Sequence, residues 1–562
     1  MAAGTIHTPV LIVGGGIVGL SASLFLSHHN IHSALVERHS STSIHPRARS
    51  VNARTMEIFR SIGLSEIVRQ AGASLAPSKG IYHSNDSLKS FIKTRPRRKE
   101  DPSTDSRGWL VKWAQIGPED GTFVTQDMLE PVLVKAAEER RGDLRFYTEC
   151  VEIKQDEEKV TASIRNRETG ETATVIADYL IAADGANSRI RSQLNVSMTG
   201  RGTMGHLLNI LFQADLKDLV DRREFSLCVI DRAEVTGILT SINNRERWVF
   251  HLSYDPSKNE KPEDFPPERC QELLRVALGI SDIKIKIISI LPWQPAVRVV
   301  TKLQHGRIFL AGDAAHQMPP YGGQGANTGI SDAYNLAWKL ALVLKDVASP
   351  RLLQTYDTER LPVGKAAAEA STGPADDRGL ISPFKLDWKI LRGWSKIVPL
   401  ASGFGYVYSS ESSAVIGENN WPLGGATWKA WNVPSLIHSL DGRPGSRAPH
   451  VWAEKDGKPI STLDVVGKGF VLLIGREGHD AWTNAVDQVK LKFKGLDLAG
   501  HCVGPNADIV PKQSKEWEIT AGISSNGAIL IRPDRFIAWR QRRLPADVRG
   551  ALEETIKEIL CL

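Results

Sequence analysis

The stretch Gly306-Arg-Ile-Phe-Leu-Ala-Gly-Asp313-Ala-Ala-His316, followed by Pro319-Pro-Tyr-Gly-Gly-Gln-Gly-Ala-Asn327, is the most informative part of this 562-residue chain. Its apolar run predicts a buried strand that ends in Gly-Asp, and the glycines predict a loop that enters a helix. This order suits the far end of a bound flavin. Because a second glycine loop lies near the N-terminus, we expect one cofactor to span both halves of the chain.

That N-terminal unit predicts a strand, a glycine loop, a helix and a second strand. The apolar run 9–13 precedes Gly14-Gly-Gly16-Ile-Val-Gly19, and residues 32–36 form the second run. In a dinucleotide-binding unit the first glycine permits a tight turn, the next admits the pyrophosphate and the last lets helix and strand pack closely. An acid after the second strand accepts hydrogen bonds from the adenosine ribose. The candidate cofactor residues are Gly14, Gly16, Gly19, Glu37 and its neighbour Arg38.

The composition is that of an ordinary globular protein. With 41% hydrophobic and 24% charged residues, the chain can bury at least two cores. Its formal charge of +6 is too small to indicate a nucleic-acid partner. It contains no run of about 18 apolar residues and no basic segment before the first apolar run, so we expect neither a membrane span nor a secretory signal. A cytoplasmic location is therefore expected.

The five cysteines are Cys150, Cys228, Cys270, Cys502 and Cys561. They are scattered, odd in number and without a Cys-x-x-Cys or metal-ligand spacing. We expect reduced thiols and no metal site.

A specific resemblance begins at Ser43-Ile-His-Pro-Arg47-Ala-Arg49, within a segment that continues to Gly63. This segment resembles the class A flavoprotein monooxygenases, the FAD-dependent aromatic hydroxylases, and in particular their phenol hydroxylase and polyketide hydroxylase branch. The resemblance implies that Arg47 contacts the FAD pyrophosphate. A fixed cation beside two phosphates is physically reasonable.

Three further motifs resemble the same family. Gln126-Asp-Met-Leu129-Glu130 resembles a helix whose glutamine, here Gln126, reaches the flavin side. Asp184-Gly185 resembles the motif that serves FAD and NAD(P)H binding together, and Asp313 is expected at the ribityl and pyrophosphate region. The residues expected near the isoalloxazine ring are Gly323, Gln324, Gly325, Ala326 and Asn327.

The resemblance implies an FAD- and NAD(P)H-dependent monooxygenase that inserts one atom of O2 into a phenolic or polycyclic, polyketide-like aromatic. Oxygen would add to the reduced flavin at C4a, and the resulting hydroperoxide would deliver one oxygen atom to the substrate. Backbone N–H groups at the start of the helix after Gly323 would stabilise the anionic reduced flavin. Baeyer–Villiger oxygenation or epoxidation by the same flavin species stays open, as does a non-catalytic flavin-bound sensor or carrier.

The predicted fold is α/β, with a Rossmann-type FAD-binding domain in two parts, over 1–190 and over 301–400 with its long helices. A mostly antiparallel β-sheet substrate domain is expected over 191–300, where short β-branched runs alternate with polar turns. Residues 401–445 predict a linker, and 446–562 resembles the family's thioredoxin-like domain. That domain lacks Cys-x-x-Cys, which excludes a dithiol role and favours packing or subunit contact, so a homodimer is one possibility.

Three side chains are candidates for catalysis. Tyr321 could hydrogen-bond a phenolic substrate or only pack, and His251 could relay a proton, although a lone histidine in a sheet is more often structural. Arg49 occupies a position where the phenol hydroxylase branch has an acid and many polyketide hydroxylases have a glycine. It could hold an anionic substrate or face solvent. The candidate substrate contacts, chosen by location, are Leu227, Trp248 and Pro320.

Overall fold

The computed structural model describes residues 4–75, 80–97, 116–320, 323–372, 403–417, 441–513 and 516–562. The first elements in chain order are β1 (Thr5–Val13), α1 (Ile17–His28), β2 (Ser33–Val36), β3 (Ser50–Val51), α2 (Ala53–Ser61), α3 (Ser65–Ala71), β4 (Ile81–Ser84), α4 (Leu88–Lys93), β5 (Thr122–Phe123), α5 (Gln126–Glu139), β6 (Asp143–Arg145), β7 (Thr148–Gln155), β8 (Val160–Asn166), β9 (Thr172–Ala182) and α6 (Arg189–Gln193).

The middle of the chain contains a second sheet and two long helices. Its elements are β10 (Met198–Thr203), β11 (Leu207–Gln213), α7 (Lys217–Val220), β12 (Leu227–Asp231), β13 (Thr236–Ser241), β14 (Arg247–Ser253), α8 (Pro267–Leu278), β15 (Lys286–Trp293), β16 (Ala296–Val300), β17 (Gln304–His305), β18 (Ile308–Leu310), β19 (His316–Gln317), α9 (Gln324–Leu344) and α10 (Thr355–Ala370). Short 3-10 turns occur at Pro256–Lys258, Pro262–Asp264, Gly312–Ala314 and Pro350–Gln354.

The C-terminal elements form a three-stranded sheet, β21-β20-β24, and a four-stranded sheet, and two of their helices pack together. They are β20 (Trp452–Lys455), β21 (Lys458–Ser461), β22 (Phe470–Gly475), α11 (His479–Lys492), β23 (Leu498–Val503), β24 (Val510–Pro511), α12 (Glu516–Ala521), β25 (Ala528–Ile531), β26 (Ile537–Gln541) and α13 (Val548–Ile559), with a 3-10 turn at Arg476–Gly478.

A parallel sheet organises the FAD-binding part. Its parallel strands lie in the order β18-β9-β1-β2-β6, so elements from both halves of the chain share one sheet. The continuous apolar runs of β1 and β18 suit strands that are covered on both faces. Because the strands are parallel, the loops that follow β1, β2, β9 and β18 all meet at one edge. This edge positions the site.

The second sheet has the order β15-β11-β14-β13-β12-β4 and is antiparallel except between β12 and β4. One face packs against α8, and its core includes Phe212, Phe250 and Leu274. The opposite face carries an apolar patch formed by Leu207, Val229 and Ile238. We call this opposite face the roof face. The sheet also takes in β4, which lies within the range 1–190.

The C-terminal sheet has the order β23-β22-β25-β26, with β22 and β23 parallel and the other pairs antiparallel. A βαβ unit followed by a β-hairpin and a helix is a thioredoxin-like arrangement. Its core is continuous with that of the FAD-binding part, and Phe470 packs edge-on against Trp338 of α9. In the described part of the predicted linker, Tyr408 is buried and stacks on Phe536. Residues 403–417 therefore pack against the folded domains.

All five cysteines are unpaired, and four of them are buried. Within the described residues, no helix combines the length and apolar character needed to cross a membrane.

Candidate flavin and substrate site

Two glycines fix the first loop for reasons of packing. Gly14 has a φ of +111°, and a Cβ there would overlap the carbonyl oxygen of Ala183 after β9. A Cβ on Gly19 would overlap the carbonyl oxygen of Gly14 itself. Glycine at position 14 therefore lets the loop after β1 approach the loop after β9. Glycine at position 19 lets α1 approach the loop after β1.

Gly16 is different, because it borders open space. It is the N-cap of α1 and has no side chain with which to cap the helix, the first turn carries no acidic residue, and the Glu130 carboxylate lies beside the Ile17 N–H. The nearest atom to a Cβ built on Gly16 is Glu130 Oε1, at 3.6 Å. The N–H groups of this first turn and the positive end of the helix dipole suit a pyrophosphate.

The Glu37 carboxylate stands at the end of β2. Its Oε2 accepts a hydrogen bond from Gly15 N at 2.7 Å, and its Oε1 accepts from His39 N at 2.8 Å. A carboxylate offers further lone pairs, so Glu37 can also accept from ribose hydroxyls. The next side chain, Arg38, is exposed.

Arg47 and Asp313 present opposite charges near the second glycine loop. Both are exposed, and Asp313 Oδ1 lies 3.9 Å from the place where a Cβ on Gly325 would be. Although water reaches Asp313, the protein that surrounds its carboxylate raises the pKa, and the charges of His316 and Arg47 only partly oppose this effect. Among the described residues Arg47 has no hydrogen-bond or ion-pair partner for its guanidinium. This cation is available to an anionic ligand.

Asp184 and Gln126 complete the polar groups around this edge. Asp184 Oδ2 accepts from Ile190 N at 3.2 Å, while its buried Oδ1 has no hydrogen-bond partner among the described residues. Gln126 Nε2 donates to Glu130 Oε1 at 2.7 Å. Since buried polar atoms are usually satisfied, the orphaned carboxylate oxygen indicates a group that a ligand supplies. The residues of this edge thus fit FAD.

The start of α9 is held by Asn327. Its Oδ1 accepts from Asn52 N at 2.9 Å and from Thr55 Oγ1 at 2.6 Å, and its Nδ2 donates to Gly323 O at 2.6 Å. Gly323, the N-cap, has a φ of +63°, and no side chain of the described residues caps the helix. The Asn327 side chain therefore positions the loop, while the N-terminal turn that also holds Gln324, Gly325 and Ala326 offers its dipole to a ligand.

Two candidate residues, Tyr321 and Pro320, precede this turn in the chain. Tyr321, like Gly322, lies outside the described residues. Pro320 is exposed, and its carbonyl oxygen accepts from Gly323 N at 3.1 Å.

The roof face carries His251 in a closed polar group. Nδ1 is 2.6 Å from Asn209 Oδ1 and Nε2 is 3.1 Å from Thr240 Oγ1. Burial lowers the pKa of His251 to about 4, and the nearby His45 adds to this effect. A neutral imidazole that donates to Asn209 and accepts from Thr240 satisfies both contacts. Leu227 packs beside this group, against the apolar patch of the roof face.

Trp248, a candidate substrate contact by its place in the sequence, does not lie on the roof face. It is fully buried on the face that packs against α8, where Nε1 donates to Ala214 O at 3.0 Å and the ring stacks on Phe225. Successive side chains of a strand point to opposite faces, so Trp248 and His251 lie on different sides of β14. Trp248 belongs to the helix-covered core, away from the roof face.

Of the two alternatives for Arg49, an anionic ligand or a solvent-facing side chain, the structure contradicts the second, because the guanidinium contacts the protein. Its Nη1 donates to Ser226 O at 2.9 Å and to Ser226 Oγ at 3.2 Å. This contact joins the loop before β3 to the start of β12 in the second sheet.

Sequence reasoning missed several of these partners. Asn209 and Thr240 face His251 from neighbouring strands, and a polar residue inside an otherwise apolar strand was the available signal. His45, buried beside the roof, stands two positions before Arg47 and was not singled out.

Comparison with known proteins agrees with this geometry. A family model described as an FAD binding domain matches residues 7–371, and one described as the C-terminal domain of aromatic-ring hydroxylases matches residues 441–560. A putative polyketide hydroxylase of Streptomyces halstedii is 39% identical over 99% of this chain and 97% of its own length. The tetracenomycin A2 monooxygenase-dioxygenase of Streptomyces glaucescens is 36% identical, with the same two shares covered.

A solved structure gives the same result. The ternary complex of aklavinone-11 hydroxylase with FAD and aklavinone superposes with a TM-score of 0.83, at 30% identity and over 99% of both chains. Sequence similarity and fold thus agree over 99% of the chain. It belongs to the class A FAD-dependent aromatic monooxygenases, in the polyketide and phenol hydroxylase branch that carries a thioredoxin-like C-terminal domain.

Proposed function

We propose that this monooxygenase hydroxylates a phenolic or polycyclic, polyketide-like aromatic, using O2 and either NADPH or NADH. The observation that carries the proposal is the roof face, where an apolar patch adjoins the polar group around His251. An apolar surface with a few placed polar groups suits a flat aromatic that carries oxygen substituents. The full-length similarity to polyketide hydroxylases supports the same substrate class.

Bound FAD supplies the redox chemistry, taking electrons from the nicotinamide and using them to activate O2. The protein contributes binding and orientation. Arg47, Glu37 and the first turn of α1 would hold the dinucleotide, and the N-terminal turn of α9 would face the flavin ring. The second sheet covers this region and would keep water from the reacting atoms.

The test is NAD(P)H consumption by the purified, flavin-loaded protein with simple phenols, hydroxyanthraquinones and cyclic ketones. Products are identified by mass spectrometry and NMR. We expect a phenol or hydroxyanthraquinone to stimulate oxidation and to gain an aromatic hydroxyl group. A ring-expanded lactone from a ketone would instead indicate Baeyer–Villiger oxygenation. Full FAD occupancy without stimulated oxidation would favour a sensor or carrier.

We further propose a cytoplasmic enzyme, which five unpaired cysteines support because reducing compartments keep thiols free. A homodimer that forms through the C-terminal domain stays a prediction, which sedimentation velocity tests.

A further inference from the structure

The backbone of Arg49 is fixed beside the second glycine loop. Arg49 O accepts a hydrogen bond from Val124 N at 3.0 Å. The next residue, Ser50, begins β3, and its Oγ lies 3.4 Å from the place where a Cβ on Gly323 would be. The side chain extends from here to Ser226, at the start of β12. Arg49 thus links the backbone beside the second glycine loop to the second sheet.

Part of this guanidinium has no partner. The Arg49 Nε and Nη2 atoms are buried, and neither makes a hydrogen bond with any described residue. No carboxylate among the described residues forms an ion pair with Arg49. Burial lowers its pKa to about 10, so the group still carries its charge at neutral pH. A buried cation with two unsatisfied donor atoms is costly unless a ligand pairs with it.

Four other wholly or partly buried arginines are paired with carboxylates, whereas the buried Arg535 resembles Arg49 in having an unpaired Nε and only an uncharged oxygen, Glu57 O, as its partner. Arg360 Nε lies 2.8 Å from Asp332, and Arg532 Nη1 lies 2.7 Å from Glu359. Arg447 is paired with Glu57. Arg247, the first residue of β14, has its Nη2 2.6 Å from an oxygen of Asp127. These four guanidinium groups each have a carboxylate, whereas Arg49 has only the neutral oxygens of Ser226.

We propose that Arg49 binds an anionic oxygen of the aromatic substrate, so that the substrate is a phenol held as its phenolate. The inference rests on the proposed function and specifies its substrate class. The phenol releases its proton to solvent on binding, and the oxyanion accepts hydrogen bonds from Nε and Nη2 of Arg49. Ionisation makes the ring positions beside and opposite the oxygen more electron-rich. Those are the positions that an electrophilic oxygen attacks.

The experiment measures binding to the FAD holoenzyme with two probes, 1-hydroxyanthraquinone and its methyl ether. The ionised hydroxyanthraquinone has its own visible absorption, which reports the bound phenolate directly. The variants are Arg49→Gln, which removes the charge, and Arg49→Lys, which keeps it. The matched control is Arg232→Gln, because Arg232 follows β12 at its far end and pairs with the exposed Glu234.

We expect the wild type to bind the hydroxyl probe as phenolate and at least about tenfold more tightly than the methyl ether. Arg49→Gln should weaken phenolate binding by at least about tenfold and change binding of the methyl ether little. Arg49→Lys should retain part of the phenolate absorption, and Arg232→Gln should match the wild type.

Three results would overturn the proposal. The wild type could bind both probes equally, which needs no variant to fold. Arg49→Gln could bind the phenolate as well as the wild type does. Alternatively, Arg49→Gln could lose FAD or change the flavin spectrum of the substrate-free enzyme, which would make Arg49 a flavin contact. Failure of the proposed function can be distinguished from failure of the Arg49 proposal. If only the proposed function fails, phenolate binding through Arg49 persists but NAD(P)H oxidation is not stimulated.

Discussion

Gly16 and Gly19 lie in the same loop but are needed for different reasons. A side chain at Gly19 would overlap the backbone of Gly14, so the fold itself requires glycine there. Gly16 has an ordinary φ of −78°, and a Cβ would meet no atom closer than 3.6 Å. The space beside Gly16 is where the pyrophosphate should lie, so the ligand rather than the fold excludes a side chain.

We therefore predict that Gly16→Ala leaves the apoprotein folded and lowers its affinity for FAD at least about tenfold, because the methyl group displaces the phosphates from the N–H groups. Thermal unfolding of the apoprotein and flavin absorbance after gel filtration measure the two effects. Gly467→Ala is the control, since a Cβ there meets nothing within 4 Å. Full flavin retention in Gly16→Ala would contradict the assignment of this loop.

The surroundings of His251 determine its protonation state. Both ring nitrogens have partners, and its lowered pKa of about 4 keeps the imidazole neutral throughout the neutral range. A group that does not change its charge there cannot produce a pH inflection there. The structure thus favours a positioning role.

We predict that His251→Asn lowers kcat by less than about tenfold, compared with the 100-fold or greater loss typical of a missing general base. The pH profile of substrate-stimulated NAD(P)H oxidation should keep its shape between about pH 5.5 and 8. His7→Asn, at an exposed position of β1, is the control. If a step near pH 6.5 disappears together with most of the activity, His251 acts as the base.

The sequence predicted the glycine loops better than it predicted the surroundings of the candidate substrate residues. The glycine loops carry short-range signals, because tight turns and close backbone approaches restrict the residue type locally. The environment of Arg49 depends on Ser226, which is 177 positions away in the chain. No local pattern reports such a contact, so burial could not be distinguished from exposure.

At the scale of elements, a buried charge network joins α9, α10 and the C-terminal domain. Lys339 Nζ lies 2.9 Å from Glu359 Oε2, and Arg532 donates to both oxygens of Glu359 at 2.7 and 2.9 Å. Burial alone would raise the pKa of Glu359, but Arg532 and Lys339 hold it below the usual range. Glu359 is thus the shared acceptor for two buried cations.

We predict that Glu359→Gln lowers the free energy of unfolding by about 3 kcal/mol at neutral pH, because two buried cations lose the carboxylate charge that they share, and Asp534 alone remains to balance Arg532. A carboxylate whose pKa is lowered in the folded state stabilises the protein above its unfolded pKa, and this contribution is lost as the pH falls through the folded value. The difference in thermal unfolding temperature between wild type and variant should therefore shrink below about pH 4. The exposed Glu168→Gln is the control. An unchanged unfolding temperature at neutral pH would refute this role.

The positions of the helices and strands in the sequence were largely predictable, but the elements that each of them packs against were not. The antiparallel strands expected over 191–300 are present as β11 to β15 of the second sheet. The helix expected after the second glycine loop is α9, which begins at Gln324 because the glycine-rich stretch already forms its first turn. Which face of β14 meets α8 depends on the packing of distant elements. Location in the sequence therefore could not show that Trp248 turns away from the site.

The whole molecule combines a two-part FAD-binding domain, a covering sheet and a thioredoxin-like domain. The order of these parts could be predicted because each carries its own motif or strand pattern. The continuous core and the network around Glu359 tie the C-terminal domain to the helix that starts at the flavin loop. The domain thus has a structural role although it lacks a dithiol motif.

The central claim is that one atom of O2 enters an aromatic substrate. The most direct measurement supplies isotopically labelled O2 to the flavin-loaded enzyme, NAD(P)H and the hydroxylated aromatic that stimulates oxidation most. Mass spectrometry then counts the labelled atoms in the product. We predict one labelled atom, located by NMR as a new hydroxyl group on an aromatic carbon, with one NAD(P)H consumed for each product formed. An unlabelled product, or NAD(P)H oxidation that yields only hydrogen peroxide with every aromatic, would contradict the account.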